Sequence, residues 1–474
     1  NSVVHNASLI DIKAASEQIF EVQTVGVAVG AIGAGASFAK VTVENGSATE
    51  TLAFVGNNVQ IGQGADDVVG GLNVNARPDI RINGDVFGLS GGVGAFSANF
   101  AFATVTPEVV AKVGDGASGA NIKVSGDVLV SSTMMADVDT DVTGIAVGGL
   151  AAGLSYAKSD LRPTVYSSVN KGAVEARNLT VSANSNSGAP ASFGADAIAK
   201  AGAGALVAAS GANSKAYNSP DIQAWVGADV DVNNEGAVTL TADGNNKAYA
   251  LADGVAIGLA GIGVTDATAE SKGTIKAYFN GEIKDGSDPG ATSLSVRATS
   301  TDTATARAFA ASGGLVSGND NDTIATVQPT VQAYVGSSGI IHVSSNIEAV
   351  ATEFSEADSL TKGVTIGGVA AVGASLSKST IKPDVDAYLL ASAIHADGSI
   401  QVQATAQPQT GEAPDYYIAS TNQTDDTVQV DNHGLTTGDT VVYDDMGNAS
   451  IGGLDVADTS LEADELREYN VIVV

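Results

Sequence analysis

The chain has few of the residues from which reactive sites are built. Its 474 residues include no cysteine and only four histidines, and aromatic residues make up 5%. The absence of cysteine excludes a disulfide framework and thiol chemistry. None of the histidines lies at a metal-ligand spacing from another. Neither a Gly-x-Ser-x-Gly motif nor a phosphate-binding loop motif is present. We therefore expect no enzyme activity.

Basic residues and long apolar runs are also scarce. There are 22 Lys and Arg against 53 Asp and Glu, which gives a net charge of −31. Nucleic acids and anionic membranes both require a basic surface, so we expect neither as a partner. Apolar runs such as 364–374 are too short to span a membrane, and glycine interrupts them. The first residues lack the basic start and apolar core of a signal peptide, and 10–14 already matches a later repeat, so we expect residue 1 to fall within a repeat.

A strand-like motif recurs at a fixed period along the chain. Its clearest copies begin with proline and place a small residue before an aromatic one, at 220–227, 329–336 and 383–390. Weaker copies occupy 107–114, 163–169 and 273–280. The small residue falls at positions 53, 111, 167, 224, 277, 333 and 387, in steps of 58, 56, 57, 53, 56 and 54. Such a period indicates a repeat architecture.

Each repeat contains two further segments. One is a Gly/Ala/Val stretch, at 25–35, 144–153, 254–263 and 363–373, which we expect to be a strand buried on both faces. Its glycines argue against a helix, because each costs about 1 kcal/mol there relative to alanine. The other is a Val-x-Val-x-Ala strand with aliphatic residues inward and polar residues outward, found at 72–76, 179–183, 238–242, 294–298 and 400–404.

These patterns predict an all-β fold. We expect a repetitive, parallel β-helix-like β-solenoid of about seven units over residues 1–407, each of about 56 residues. Two geometries fit the spacing: about three stacked rungs per repeat, or one wide turn with a sheet on each side. After the breaker at 408–414 the pattern changes, and short strands with tight turns predict a small β module over 408–474.

The repeat segments resemble those of giant bacterial surface and secreted proteins of the adhesin-like and filamentous-haemagglutinin-like kind. The Gly/Ala stretch, the Ala-Tyr-Val-Gly strand and the Val-x-Val-x-Ala strand carry the resemblance. The segment 433–443, with 451–454, is similar to a module interspersed in such proteins. The resemblance covers nearly the whole chain. It implies a β-solenoid displayed outside a cell with an adhesive or scaffolding role, and it supplies no catalytic residues.

Acidic clusters raise the question of a metal site. Asp137, Asp139 and Asp141 alternate along one predicted strand face, and Asp320 and Asp322 follow the same spacing; Asp444 and Asp445 form a third cluster. Carboxylate oxygens suit a hard cation, so Ca²⁺ is the one cofactor that we consider. The competing interpretation is a solvated face or turn, since neither the calcium-roll nonapeptide nor an EF-hand loop is present.

An outward aromatic residue occupies the same slot in four consecutive repeats. The four are Trp225, Tyr278, Tyr334 and Tyr388, whereas Lys112 and Ser168 fill this slot earlier in the chain. A functional interpretation is a platform on which sugar rings stack. The structural interpretation, which we favour, is a ladder of rings that stabilises the solenoid from unit to unit.

Together these features predict a non-catalytic structural protein at the cell surface or outside the cell. We expect a self-assembling filament, a sheath or the shaft of an adhesin, whose partners are other copies or neighbouring repeats. The alternative is a carbohydrate-binding adhesin that uses the aromatic ladder on glycans. A polysaccharide-acting β-helix enzyme is a weaker alternative, because the basic residues are scattered and no repeat departs from the others.

Overall fold

The structure is a computed structural model, and it describes most of the repeat region. The described residues are 2–44, 50–114, 118–190, 193–284, 288–336 and 339–408, together with four short strands farther along the chain. No helix long and apolar enough to cross a membrane occurs among them. The described repeat region consists of strands, turns and connecting segments, as the all-β prediction requires.

The strands form two large parallel sheets. The first sheet has 13 strands: β1 (Ser2–Val4), β5 (Glu50–Val55), β6 (Val59–Ile61), β9 (Glu108–Val113), β10 (Ala120–Lys123), β12 (Thr164–Ala176), β16 (Asp221–Asn234), β19 (Thr274–Phe279), β20 (Glu282–Ile283), β22 (Thr330–Val335), β23 (Ile340–Val343), β25 (Asp384–Leu389) and β26 (Ala393–Ala396). The second has 12: β3 (Ile10–Val29), β4 (Ile32–Val43), β8 (Leu72–Val105), β11 (Val128–Leu161), β13 (Leu179–Ser185), β14 (Ala195–Gly204), β15 (Val207–Asn218), β17 (Ala237–Ile257), β18 (Ala260–Ser271), β21 (Ser293–Val327), β24 (Ile347–Ile381) and β27 (Ile400–Pro408). The short strands β2 (Asn6–Ala7) and β7 (Val68–Val69) pair separately.

Each repeat makes one wide turn, which decides between the two geometries left open by the sequence. The small residues of the recurring motif pair directly with one another in a single column, namely Ala53, Ala111, Ser167, Ala224, Ala277, Ala333 and Ala387. A residue one repeat later in the sequence therefore lies on the next strand of the stack. We number turns 1 to 7 by their first residues in the second sheet, Ile10, Leu72, Val128, Leu179, Val238, Leu294 and Ile347.

The base of each turn contains a core of branched aliphatic side chains between the two sheets. In turn 5, Val238, Leu240 and Ala242 point inward and are buried. They belong to the same cluster as Ala277 and Phe279 of the first sheet. The Val-x-Val-x-Ala strands thus place their apolar residues inside, as their alternation predicts.

Beyond the base, each turn narrows into two arms joined at a tip. The first arms comprise 20–29, 82–91, 138–147, 195–204, 248–257, 304–313 and 357–366, each set paired with the next. The second arms comprise 32–43, 94–105, 150–161, 207–218, 260–271, 316–327 and 370–381. Between the arms lies a second core composed mainly of alanine.

Small residues allow the two arms to approach closely. Asn99 of the second arm projects between the arms, where its Nδ2 donates to Ser97 Oγ at 2.8 Å. A Cβ added at Gly88 would lie 1.8 Å from the Asn99 side chain, and one added at Gly144 would lie 2.4 Å from it. A larger residue at either position would therefore force the Asn99 side chain to move.

The Gly/Ala stretch is buried on one face, which corrects the expectation that both faces are covered. Its inward residues, such as Ala146 and Ala256, are buried against the opposite arm. Its outward apolar residues are exposed; Val29, for example, is 78% exposed and Ile32 is 76% exposed. The opposite arm covers the inner face of each stretch, so the residues on that side are buried. No described residue of the chain packs over the outward side chains.

The chain divides by its contacts into Asn1–Gln409 and Thr410–Val474, close to the predicted boundary between 407 and 408. In the second unit, β28 (Ala419–Asn422) pairs antiparallel with β29 (Thr427–Val430). In the same way, β30 (Thr440–Val442) pairs with β31 (Glu468–Asn470). These antiparallel pairings differ from the parallel pairings of the repeats. The acidic cluster Asp444–Asp445 lies outside the described residues.

Candidate functional site: an aromatic ladder and buried carboxylates

The four predicted aromatic residues form a continuous stack. Parallel pairing of β16, β19, β22 and β25 places Trp225, Tyr278, Tyr334 and Tyr388 in one register column. The ring centroids are 5.8, 5.0 and 4.7 Å apart in this order, and the planes are within 10° of parallel. Because adjacent strands are spaced by about 4.8 Å, identical slots in a parallel sheet stack their rings almost directly.

The stack begins one turn earlier than the sequence indicated. Tyr166 contacts Trp225 edge to face, with a centroid distance of 5.5 Å and an interplanar angle of 75°. Its strand position pairs with Gln223, two residues before Trp225 and on the same face. A search for aromatic residues two positions from the slot would have found it. Trp225 is also fixed through Nε1, which donates to Asn170 Oδ1 at 3.0 Å.

The ladder presents ring edges, because the faces between neighbouring rings cover one another. A sugar ring normally packs on an open aromatic face, and within the stack the faces of Tyr278 and Tyr334 meet other rings. Burial, and secondarily the Tyr334 phenol, raises the pKa of Tyr278 to about 12. The phenols therefore remain neutral at ordinary pH, and this geometry favours a structural role.

The acidic residues of turn 3 line up with carboxylates and bases of the neighbouring turns. Asp137, Asp139 and Asp141 pair with Arg81, Asn83 and Asp85 of turn 2. Asp139 also pairs with Asp196 of turn 4. Burial, followed by the charges of Asp137 and Asp196, raises the pKa of Asp139 to about 7. These carboxylates therefore lie close enough to repel one another.

The pKa values of the other two aspartates of this cluster are raised as well. Burial raises the pKa of Asp137. A hydrogen bond from the Gly194 N–H, whose nitrogen lies 3.3 Å from Asp137 Oδ1, acts in the opposite direction and lowers it. Burial likewise raises the pKa of Asp141, although Lys200 Nζ is 3.9 Å from its Oδ2. Lys200 thus lies at the edge of the cluster, and Asp139, whose pKa is about 7, lies at its centre.

The structure does not bring the predicted metal ligands into a ligand set. Within the described ranges, no group of three or more His, Asp or Glu side chains is arranged to hold a metal ion. Asp320 and Asp322 point outward, whereas Asn319 and Asn321, which alternate with them, point inward and are buried. Asn321 Oδ1 instead accepts a hydrogen bond from Thr265 Oγ1 at 2.7 Å. The strand alternation therefore splits this cluster between two faces, and Ca²⁺ binding stays a prediction.

A pair of buried acids, Asp302 and Glu353, was missed by the sequence analysis. Both side chains are fully buried in the interior of turns 6 and 7, and they are linked by a hydrogen bond. Burial is the main cause of the raised pKa of each. Asn246 Nδ2 donates to Asp302 Oδ1 at 3.2 Å, and Ser355 Oγ donates to Glu353 Oε1 at 2.8 Å. Asp302 shares the inward parity of Ala298, a signal that could have revealed it.

The buried pair can hold one proton between two carboxyl groups. Two adjacent carboxylates in a dry interior cannot both ionise without large cost, so one of them is protonated at neutral pH. Serine and asparagine side chains donate to both oxygens of Asp302 and to Glu353 Oε1, whereas Glu353 Oε2 has no such donor among the described residues. Its burial separates this pair from any substrate, so its chemistry concerns stability.

Two open cavities are lined mainly by small residues. One of about 450 Å³ lies between the arms at turns 6 and 7, lined by Asn319, Gly363, Thr365, Ala371, Gly373 and Ser375. Another of about 270 Å³ lies on the second arms of turns 1 to 3 and is mainly apolar. Neither combines an acid, a base and a nucleophile.

Comparisons with family models, with curated proteins and with solved structures found no match to this chain. The resemblance to adhesin-like repeat proteins therefore stays a prediction.

Proposed function

We propose that this chain is a non-catalytic structural protein, displayed at the surface of a cell or outside it, that forms a segment of a filament, sheath or adhesin shaft. The observation that carries the proposal is the continuous register column from Ala53 to Ala387, in which each turn pairs with the next. A stack of this kind transmits load along its length through backbone hydrogen bonds and extends by adding like units.

The upper edge of turn 7 supports assembly by stacking. β24 pairs with β21 along its whole length, but on its other side it pairs with β27 only over residues 347–355. Among the described residues, none pairs with 356–381 on that side. A free strand edge presents unpaired N–H and C=O groups, which are a template for another chain. We therefore include axial self-association in the proposal.

Electron microscopy of the purified full chain tests this function. We expect filaments or rods whose length grows with concentration. A parallel sample with chelator tests whether Ca²⁺ takes part, since a bridging cation would make the filaments shorten on its removal. A chain that stays a single short particle at every concentration contradicts axial assembly.

A carbohydrate-binding adhesin is the second candidate, and the observation that favours it is the end of the aromatic ladder, where no other described ring covers the outer face of Tyr388. Substituting Tyr334→Ala and Tyr388→Ala together would abolish glycan binding on an array if the ladder binds sugar. The matched control is the Phe variant at both positions, which retains the stacked rings and removes only the hydroxyls. If the wild-type chain binds no glycan, the ladder has only a stabilising role.

A further inference from the structure

The outward face of the first arms carries a regular corrugation. In the column nearest the tip, large apolar residues and glycines alternate strictly from turn 1 to turn 7, in the order Val29, Gly91, Val147, Gly204, Ile257, Gly313 and Ile366. The large residues are 78%, 55%, 62% and 69% exposed in this order. We call this column and its neighbour, which contains Val27, Leu89, Ile145, Gly202, Val255, Ala311 and Val364, the corrugated face.

The chain itself does not require glycine at the low points of this column. A Cβ added at Gly204 or at Gly313 would meet nothing within 4 Å, and neither residue has a positive φ. Glycine within a strand is unfavourable by roughly 0.5–1 kcal/mol relative to alanine. A glycine in a strand often marks a place where another surface approaches closely. The low points are thus holes that the single chain leaves open.

We propose that the corrugated face binds the corrugated face of a second copy of this chain, in a two-fold symmetric pair with antiparallel stacks. With the two-fold axis between turns 4 and 5, turn 3 opposes turn 6 of the partner, turn 4 opposes turn 5, and turn 2 opposes turn 7. Val147, Ile257 and Ile366 then enter the holes at Gly313, Gly204 and Gly91. The same surface supplies the projections and the holes, as a two-fold interface requires.

The charges beside the corrugated face select the same alignment independently. Lys200 of turn 4 and Asp253 of turn 5 occupy one column, two residues farther from the tip than the neighbouring column. The alignment that fills the holes also places Lys200 of each copy opposite Asp253 of the other. Elsewhere the net charge of −31 makes two copies repel, so pairing is favoured only where apolar and complementary groups meet.

The size of the face is sufficient for a pair. Turns 2 to 7 span roughly 29 Å at about 4.8 Å per strand, and five residues span roughly 17 Å at about 3.3 Å each. The two faces together bury roughly 1,000 Å², near the lower limit for a specific interface. A bilayer is the less suitable occupant, because the negative charge of the chain repels anionic lipids. The inference deepens the proposed structural role by naming a lateral partner, and it does not depend on axial stacking.

The decisive experiment is sedimentation velocity on the full chain, using two variants that are defective in opposite ways. The filled variant carries G204V and G313V, so that valine side chains occupy the holes. The trimmed variant carries V147A and I257A, which shortens the projections. We expect the wild type to form side-by-side pairs and each variant alone to pair at least 100-fold more weakly. An equimolar mixture of the two should recover pairing, because the filled face then meets the trimmed face.

The matched control is G318V, which adds the same side chain on the second arm, where a Cβ has only ordinary contacts. It should leave pairing unchanged. Filled chains that still pair, variants that do not recover in the mixture, or a wild type with no lateral pairs would each overturn the proposal. Electron microscopy separates this outcome from failure of the proposed function: loss of lateral pairing leaves filaments of single width, whereas loss of axial stacking leaves short paired rods.

Discussion

The base and the arms of each turn solve the same packing problem in different ways. The base fills a wide space between two sheets with Val, Leu, Ile and Phe side chains, whereas the arms bring two strands together over alanine, glycine and serine. In the arms, polar side chains bridge the gap directly, as where Ser155 Oγ donates to the Lys200 carbonyl oxygen at 2.6 Å. A wide core is sensitive to lost volume, and a narrow core is sensitive to added volume.

Removing volume from the base should have the largest effect. Leu240→Ala in turn 5 deletes a fully buried side chain from the base core, and we expect the free energy of unfolding to fall by about 2–5 kcal/mol. Urea unfolding followed by circular dichroism measures it. Leu240→Met, which conserves volume, is the control and should cost less than about 1.5 kcal/mol. Equal losses for both variants would contradict a volume effect.

Adding volume to the arms should have the next largest effect. Ala250 lies in the same strand as Leu240 but in the alanine core between the arms. We expect Ala250→Leu to lower the free energy of unfolding by about 1–3 kcal/mol, because overpacking forces the arms apart. The same urea titration checks this expectation. A neutral result would show that the arms can separate without cost and that their close approach is incidental.

Substitutions in the aromatic ladder test whether the outer surface of the base also contributes to stability. Tyr334→Ala removes a ring stacked on both sides, and we expect a loss of about 1–3 kcal/mol from two stacked contacts. Tyr334→Phe keeps both contacts and should unfold within about 0.5 kcal/mol of the wild type. A thermal unfolding comparison of the two variants is sufficient. An equal loss in both would assign the effect to the hydroxyl.

Replacing a carboxylate on the arms should have the smallest effect on the free energy of unfolding, and this effect should depend on pH. Asp139 has a pKa of about 7 in the folded chain against an ordinary value of 3.8, so the folded state binds more protons than the unfolded state between these pH values. Its contribution is therefore fully present below about pH 4 and is lost as the pH rises through about 7. We expect Asp139→Asn to raise the stability at pH 8 by roughly 1 kcal/mol after solvent screening.

The pH profile of this variant provides its own control. The gain from Asp139→Asn should largely disappear at pH 4, where the folded wild-type carboxyl is protonated and the unfolded one, with an ordinary value of 3.8, is close to half protonated. Urea midpoints at both pH values measure it. A gain that is the same at pH 4 and pH 8 would point to a change in packing. The midpoint is the quantity to compare, since long repeat arrays need not unfold in a single step.

Much of this molecule was predictable from its sequence. The period of the proline-started motif, the inward parity of residues such as Val238 and Leu240, and the shared slot of Trp225 and Tyr388 all follow from alternation and spacing. These features are local, because a strand fixes which face each side chain occupies. The same parity could have identified Asp302 as buried.

Other features were decided only by the tertiary structure. One turn per repeat depends on which strands pair, and this makes neighbours of residues about 56 positions apart, such as Tyr278 and Tyr334. The return of the chain at each tip covers the inner face of the Gly/Ala stretch and leaves the outer face exposed. The strict alternation of Val147, Gly204 and Ile257 appears only when the turns are stacked, because these residues are adjacent in the sheet and distant in the chain. Sequence spacing determines the face of a side chain, whereas pairing between turns determines its neighbours.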